Sequence, residues 1–517
     1  MSNRSSGGVD RTPVLDERPA DGGDGGGSGS GDSPPEAAPS AVPFVVPGDA
    51  ITRQLCSAAH LSAAFADRVH DELVEPGFQG VAPNWNIDAI ALARHAEQAI
   101  NRRADRDHRL LVELVVAVAA GALTAELIGL GWVARPSAAA FGLIGIAVGV
   151  FLYLVAFVIV WQHYCAVHAS AVAVIGGPGV QAIEPPPLPA EVEQALADAA
   201  RANVVLFKGQ VPFVGSGTLL DHWTASVDLS TGPIRADGER AAPERFDSLD
   251  LHEALVAAMS ASISPKPNSG LRMYVVGGHA AAVGGLFRSG PVVDDETAEI
   301  RFRRPVSTVP EETIQGFLRR PHASARPYTY FELTGWDGQV VVTLFVRLVV
   351  EYPMLFVEAS ICGLRPPRAE FGDVVTIPLG PGAHRLPMLR SVLPVVIPLL
   401  LNSPARPINN LRFNHDQKVT RKRIGQVLAR RGDVNFAAGQ SLREAVASGS
   451  NGNHFGFIDE EMYYRTFSRQ VLNCLRDCLI ARNVDVGEFT KQQTLIVEKT
   501  LVNAQNLYGR TSDEGQA

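Results

Sequence analysis

Two long apolar stretches dominate the pattern of hydrophobic and polar positions along the chain. Residues 110–133 would form a helix about 36 Å long, and the only charged residues in it are Glu113 and Glu126. Residues 137–161 carry no charge at all. A helix that stays apolar all round over such a length is typical of a membrane span. The pattern therefore predicts two transmembrane helices, joined in a tight hairpin by residues 134–136.

The charges on either side of the hairpin predict its orientation. Arg102, Arg103, Arg106 and Arg109 precede the first span, whereas the turn holds only Arg135. Basic residues near spans favour the cytoplasmic side. Because both flanks of a hairpin lie on one side, we expect a two-span protein of the cell membrane with both termini in the cytoplasm.

Each span carries small residues at helical spacing, and in lipid such residues mark the faces where helices touch. They are Ala117, Gly121, Ala125 and Gly129 in the first span and Ala138, Gly142, Gly145 and Gly149 in the second. These faces could join the two spans or two copies of the chain in a homo-oligomer. Glu126 is the candidate polar site, because a carboxylate about 10 Å inside a bilayer must be protonated, paired or facing water. It is either part of an ion pathway or a neutral acid hydrogen-bonded within a helix pair.

The regions around the hairpin predict an α+β protein: a transmembrane α-hairpin, a cytoplasmic mixed α/β domain with an antiparallel β meander, and a C-terminal helical region. Residues 49–74 have the pattern of one helix. The predicted regions are a Gly/Pro/Ser-rich disordered tail (1–48), N-terminal helices (49–109), a linker (183–200), the α/β domain (201–375), a mostly helical region (387–510) and a disordered end (511–517).

The clearest part of the α/β domain is the predicted meander at residues 328–364. Asp337-Gly338 and Tyr352-Pro353 interrupt three strand-like patterns. If both turns are two-residue loops, Arg347 lies opposite Glu358 with Tyr328 on its other side. The three side chains are either a cross-strand ion pair beside an aromatic ring or the floor of a ligand pocket.

Two further segments suggest contact with lipid. Residues 392–401 are apolar, but Pro394 and Pro398 interrupt them, so they either join a core or lie at the bilayer surface. Residues 418–431 have the pattern of a basic amphipathic helix, which is either a solvated face or a surface for anionic lipid head groups. The candidate head-group contacts are Lys418, Arg421, Lys422, Arg423, Arg430 and Arg431.

Composition narrows the function classes. The 517 residues carry a formal charge of −8, with eight acidic residues and three arginines in the first 50, so the remainder is near neutral and no nucleic-acid partner is expected. The only apolar patch in the tail, 44–46, is too short for a signal peptide. The five cysteines are odd in number and scattered, which favours a reducing compartment.

Motifs that carry chemistry are incomplete in this sequence. Gly215-Ser216-Gly217 follows a strand pattern but lacks the lysine and helix of a phosphate loop. Cys474 and Cys478 lie one helical turn apart, without the further ligands that a metal site needs. We therefore assign no catalytic, cofactor-binding or metal-binding residue, and expect no cofactor.

Three short features resemble those of a group of uncharacterised actinobacterial membrane proteins. They are the basic helix entering the hairpin at 91–111, the Pro-Phe-Val-Gly-Ser-Gly segment at 212–217, and Trp-Asp-Gly at 336–338. The resemblance implies the two-span topology and no mechanism. The first hypothesis is a non-enzymatic membrane-anchored interaction or sensing protein. The alternatives are a channel or transporter component that uses Glu126, and a membrane-anchored enzyme of unknown reaction.

Overall fold

The computed structural model describes most of the chain from residue 50 onward. The described ranges are 50–75, 79–80, 82–133, 137–175, 184–287, 292–293, 300–301, 305–372, 385–409 and 434–508, with a few positions between 412 and 423. The predicted N-terminal tail lies outside these ranges, and so does most of the predicted basic helix. Of its candidate head-group contacts, only Arg423 is described, in helical conformation and exposed. The α+β fold class is confirmed.

The N-terminal half of the protein is helical. Its helices are α1 (Ala50–Leu61), α2 (Ala63–Val69), α3 (Ala89–Val133), α4 (Ser137–Ile175) and α5 (Ala190–Ala200). The single helix predicted for 49–74 is broken at Ser62, because this residue is extended and its side chain accepts a hydrogen bond from the Phe65 N–H. A π-helical turn, His70–Val74, follows α2.

Helices α3 and α4 form the hairpin. Each contains a stretch long and apolar enough to cross a membrane, with a mean hydropathy of 2.1 in α3 and 2.9 in α4, and few side chains of these stretches are buried. Helix α3 runs without a break from the polar N-terminal region into the first predicted span. Its first three turns pack into a core with α1, α2 and α5, to which Leu55, Leu92 and Leu196 contribute. No linker therefore separates the first predicted span from the N-terminal part of α3 that packs in this core.

The second half is built on a six-stranded mixed sheet with the order β1-β3-β6-β7-β8-β2. The strands are β1 (Val204–Phe207), β2 (Thr218–Asp228), β3 (Asn268–Val276), β6 (Ala325–Gly335), β7 (Val340–Glu351) and β8 (Met354–Leu364), and a separate pair consists of β4 (Val292–Val293) and β5 (Ile300–Arg301). Only the β1–β3 pair of the six-stranded sheet is parallel. The helices of this half are α6 (Ser248–Ser262), α7 (Glu311–Arg319), α8 (Ala369–Gly372), α9 (Arg385–Val392), α10 (Val396–Asn402), α11 (Leu442–Ala445), α12 (His454–Ile480) and α13 (Gly487–Tyr508).

One face of the sheet packs against α6, α12 and α13. The alternating side chains of β7 supply its centre, from Val342 to Leu348, as the period-two pattern requires. Leu255 of α6 and Phe467 of α12 lie in the same core and are fully buried. The residues predicted as an α/β domain and the C-terminal helices thus share one hydrophobic core.

A buried carboxylate joins β2 to the two C-terminal helices. Asp221 is buried and lies beside an irregularity in the β2–β8 register. Its oxygens accept hydrogen bonds from the Tyr464 hydroxyl at 3.0 Å, the Thr500 hydroxyl at 3.3 Å and the Asn503 amide at 2.9 Å. These neutral donors replace the water that the carboxylate loses on burial.

The predicted meander is present as β6, β7 and β8. The first loop is longer than predicted: Gly335 pairs with Val340, and Trp336, Asp337 and Gly338 between them all have positive φ. The loop contains one more residue on each side than the predicted Asp337-Gly338 loop. The pairing of β6 with β7 is therefore the same as a two-residue loop would give. The second loop is the two-residue Tyr352-Pro353, with a cis peptide bond.

Helices α9 and α10 pack beside the hairpin. Val392 and Val396 are buried against Leu110 at the start of the first predicted span. Leu393, Ile397 and Leu401 are 47 %, 54 % and 61 % exposed, so this segment carries an apolar row that the described residues leave open. Such a row beside an apolar hairpin is typical of a segment that lies at a bilayer surface.

Candidate functional site

The three predicted sheet-face residues are brought together by neighbouring strands. Arg347 of β7 is paired directly with Glu358 of β8, as the predicted turn requires. An Arg347 Nη1 atom lies 3.5 Å from a Glu358 oxygen, and the Tyr328 hydroxyl donates to the other oxygen at 2.7 Å. Arg326 lies 3.9 Å from the same carboxylate. Glu358 is therefore the centre of a small polar cluster.

Arg347 and Glu358 of this cluster line a groove of about 590 Å³ on the sheet face. Phe356 and Val349 supply apolar walls, and Gln492 of α13 closes one side. The side chains of Arg347 and Glu358 are 17 % and 21 % exposed, so no helix covers them completely. The groove has the mixture of charged, amide and aromatic groups that suits a polar ligand or a short peptide.

The electrostatics of the cluster keep the Tyr328 phenol protonated. Burial and the neighbouring Glu358 charge both raise the pKa of Tyr328, so the phenol keeps its proton and acts as a donor. The Glu358 carboxylate accepts this hydrogen bond and lies within ion-pair distance of Arg347 and Arg326. Acid–base catalysis needs a group whose pKa lies near the working pH, and Tyr328 does not provide one.

The Gly215-Ser216-Gly217 loop does bind an anion, but the anion belongs to the chain itself. The N–H groups of Gly215 and Gly217 donate to one oxygen of Glu444 at 2.7 and 2.9 Å. Both glycines have positive φ, and a Cβ on Gly217 would overlap the backbone of Gly363. Burial raises the pKa of Glu444 despite these backbone hydrogen bonds. A pocket of about 230 Å³ adjoins this carboxylate. The sequence showed the loop but not its partner, which lies 227 residues beyond Gly217.

An aromatic cluster covers the other part of this sheet face. The Phe213 ring stacks on Phe345 with a centroid distance of 4.3 Å. Arg272 is buried and lies between the rings of Trp85 and Tyr330, with its guanidinium carbon 3.8 and 3.7 Å from their centroids. Such stacking stabilises a desolvated cation. Local sequence patterns could not show it, because Trp85 lies in the loop before α3.

In the hairpin, Glu126 lies away from the groove between α3 and α4, whereas several of the small residues line it. Glu126 is exposed and does not line the groove of about 500 Å³ between α3 and α4, whereas Glu113 does. A Cβ on Gly145 would overlap Thr124, so this glycine is where the two helices approach most closely among the glycines described. Gly121, Gly129, Gly142 and Gly149 have open space beside them. Only part of the small-residue pattern is therefore used within one hairpin.

The cysteines form no disulfide in the part of the chain that the structure describes, and no group of three or more metal-ligating side chains is found there. Cys474 and Cys478 face the core under the sheet, and burial raises the pKa of both thiols. Raised thiol pKa values lower the fraction of reactive thiolate.

The sequence model of the AbeC-like domain family matches residues 222–511, which is more than half of the chain. The chain therefore belongs to this family, a family of uncharacterised proteins. The match begins inside β2 and extends past α13, so it covers most of the sheet and the helices packed on it, while the hairpin precedes it. No match was found among curated proteins or among solved structures.

Proposed function

We propose that the protein is a non-enzymatic membrane-anchored interaction or sensing protein, with its sheet domain in the cytoplasm. The observation that carries this proposal is the continuity of α3. One helix is both a wall of the soluble N-terminal core and a predicted span. A ligand or partner that shifts the soluble core would therefore displace the membrane segment as well.

The arginines before the first span support the cytoplasmic placement through the positive-inside preference. The apolar surfaces of α3, α4 and α10 support insertion in a bilayer, because in water they would leave a large contiguous apolar patch. The proposed actinobacterial kinship rests on the short sequence features alone.

The recognition surface in this proposal is the groove lined by Arg347 and Glu358. It has opposite charges, an aromatic wall and partial exposure, which are features of a binding site. The alternative of a membrane-anchored enzyme would need a titratable group poised for chemistry in the same groove. Burial and the Glu358 charge move the pKa of Tyr328 away from neutral pH.

Cell fractionation and topology reporters test the placement. We expect the full chain in the membrane fraction, released by detergent and retained in high salt. A reporter that is active only inside the cell should work after residue 190, and one that is active only outside should work in the 134–136 turn. Activity of the outside reporter after residue 190 would refute the cytoplasmic placement.

Ion flux separates this proposal from the channel alternative. The purified chain is reconstituted in vesicles and compared with Glu126→Gln and, as the matched control, Glu113→Gln. We expect no flux from any of the three proteins. Flux that disappears only in Glu126→Gln would favour the channel function and overturn the present proposal.

A further inference from the structure

Four arginines meet just before the first predicted span. Helix α3 contributes Arg102, Arg103 and Arg106. Arg406, in the segment after α10, lies near them in the fold. Arg406 lies 3.5 Å from Asp107 and 3.3 Å from Asp67, and Arg106 also contacts Asp107. We call these four arginines the arginine cluster.

Positive charge exceeds negative charge in the cluster. Among the described residues, Asp107 pairs with Arg106 and Arg406, and Asp67 pairs with Arg406. Arg102 and Arg103 have no carboxylate within ion-pair distance in that part of the chain. Four guanidinium groups face two carboxylates, and Asp67 acts on Arg103 only from beyond ion-pair distance, so the cluster has excess positive charge, which is costly for partly buried groups.

Several donors in the cluster are also buried without a hydrogen bond. Arg103 is 4 % exposed; its Nη2 donates to the carbonyls of Ala59 and His60, but its Nη1 has no acceptor among the described residues. Arg102 Nη1 is in the same situation. The Nδ1 atoms of His60 and His163 are also buried without a partner among the described residues, and whether each is a donor or an acceptor depends on its tautomer. His163 lies within electrostatic range of all four arginines. The two guanidinium Nη1 groups are therefore donors available to an anionic oxygen.

His60 does not add to the charge of the cluster. Its ring is buried, and its Nε2 lies 3.1 Å from His95 Nδ1. Burial, followed by the charges of its neighbours, lowers the pKa of His60 to about 3. The ring is neutral at physiological pH, so the excess charge belongs to the arginines.

We propose that the arginine cluster binds a phosphate group, presented by the head group of an anionic phospholipid. Arg106 precedes Leu110 by about one helical turn, or about 6 Å along the axis. Leu110 itself packs against Val392 and Val396, and the α10 segment exposes Ile397 beside them. The cluster is thus at the depth of the head groups if the hairpin spans a bilayer. Guanidinium groups bind phosphate with short charge-assisted hydrogen bonds.

The lipid assignment rests on the membrane insertion proposed above, and the experiment separates the two. The full chain in a neutral detergent is titrated with phosphatidylglycerol, phosphatidylcholine or inorganic phosphate, and thermal unfolding is recorded. Flotation with phosphatidylcholine vesicles tests insertion independently. We expect phosphatidylglycerol to raise the midpoint temperature and phosphatidylcholine to leave it nearly unchanged.

The informative variant is Arg102→Gln, because Arg102 makes no ion pair among the described residues and its loss should leave the fold intact. Arg109→Gln is the matched control: it removes the same charge from the exposed side of the same helix. We expect Arg102→Gln to weaken phosphatidylglycerol binding roughly tenfold, as for loss of one charge-assisted contact, and Arg109→Gln to change it less than about twofold. Arg102→Lys, which keeps the charge, should recover part of the affinity.

Three results would overturn the inference. Equal weakening by Arg102→Gln and Arg109→Gln would show a general charge effect instead of a site. Stabilisation by inorganic phosphate with the same dependence on Arg102, and none by lipid, would refute the lipid source. Flotation with phosphatidylcholine vesicles, together with a midpoint temperature that phosphatidylglycerol raises no more than phosphatidylcholine does, would refute the site while leaving the membrane proposal standing.

Discussion

Replacing His252 should change how the stability of the sheet domain depends on pH. This histidine of α6 is buried and bridges two strands. Its Nε2 accepts the Leu348 N–H at 3.2 Å, and its Nδ1 lies 2.6 Å from the Thr329 hydroxyl oxygen. Because a backbone N–H can only donate, Nε2 must be the unprotonated nitrogen, and the ring is held neutral.

The size of the stability loss at low pH follows from the pKa of His252. Burial is the main cause that lowers the pKa of His252 from 6.5 to about 4. A folded-state pKa below the unfolded value means that the unfolded chain takes up the proton first as the pH falls. Stability from this group is therefore complete above pH 6.5 and is lost towards pH 4. At about 1.4 kcal/mol per unit of pKa, the loss amounts to about 3 kcal/mol.

The assay is urea unfolding of the detergent-solubilised chain, followed by the fluorescence of tryptophan, at about pH 7.5 and about pH 4.5. His252→Gln should lower the free energy of unfolding by about 2 kcal/mol at the higher pH, since two buried hydrogen bonds are disturbed. At the lower pH the difference from the unmodified chain should nearly vanish, because glutamine does not titrate.

The exposed His454 provides a matched control, and His454→Gln should leave the pH dependence unchanged. Taking differences between variants cancels the contributions of the other buried histidines. If the His252→Gln difference were the same at both pH values, the reasoning from a neutral, buried ring would be refuted.

Three further substitutions have defined expectations, each measured by the same unfolding assay. Gly217→Ala should lower the free energy of unfolding by about 2 kcal/mol or more, because the residue has φ of 87° and its Cβ would overlap Gly363. In the control Gly209→Ala, the residue has positive φ but open space, and the loss should be about 1 kcal/mol. Equal losses would contradict the overlap. Asp221→Ala should cost about 3 kcal/mol, because donors from both C-terminal helices lose their acceptor, and a loss below about 1 kcal/mol would contradict this. Glu444→Gln should become relatively more stable as the pH rises above 4.5: a raised acid pKa stabilises the fold at low pH, and that contribution is lost as the pH rises. A difference that does not vary with pH would contradict the raised pKa.

Much of the architecture could be predicted because it depends on local patterns. The hairpin follows from apolar length, and the pairing of Arg347 with Glu358 follows from the Tyr352-Pro353 turn, since the length of a turn sets the register of the strands beside it. The break at Ser62 was missed because an apolar pattern continues across it, while the capping hydrogen bond depends on the conformation of one residue.

Other features depend on residues far apart in the sequence, where periodicity carries no information. The Glu444 carboxylate fills the glycine loop from 227 residues beyond Gly217. Trp85 covers Arg272 from a loop outside the sheet. The exposed position of Glu126 depends on how α3 is rotated against α4, which packing sets.

By itself, the sequence determined the two apolar helices and the alternating strands of the meander. Each of these is specified by neighbouring residues through helical or strand periodicity. Only the tertiary structure decided which polar groups meet: Arg406 joins Arg103 beside the hairpin, and the C-terminal helices close over the sheet. The physical reason is that burial and electrostatic contact act through space, between residues that the chain brings together only when it folds.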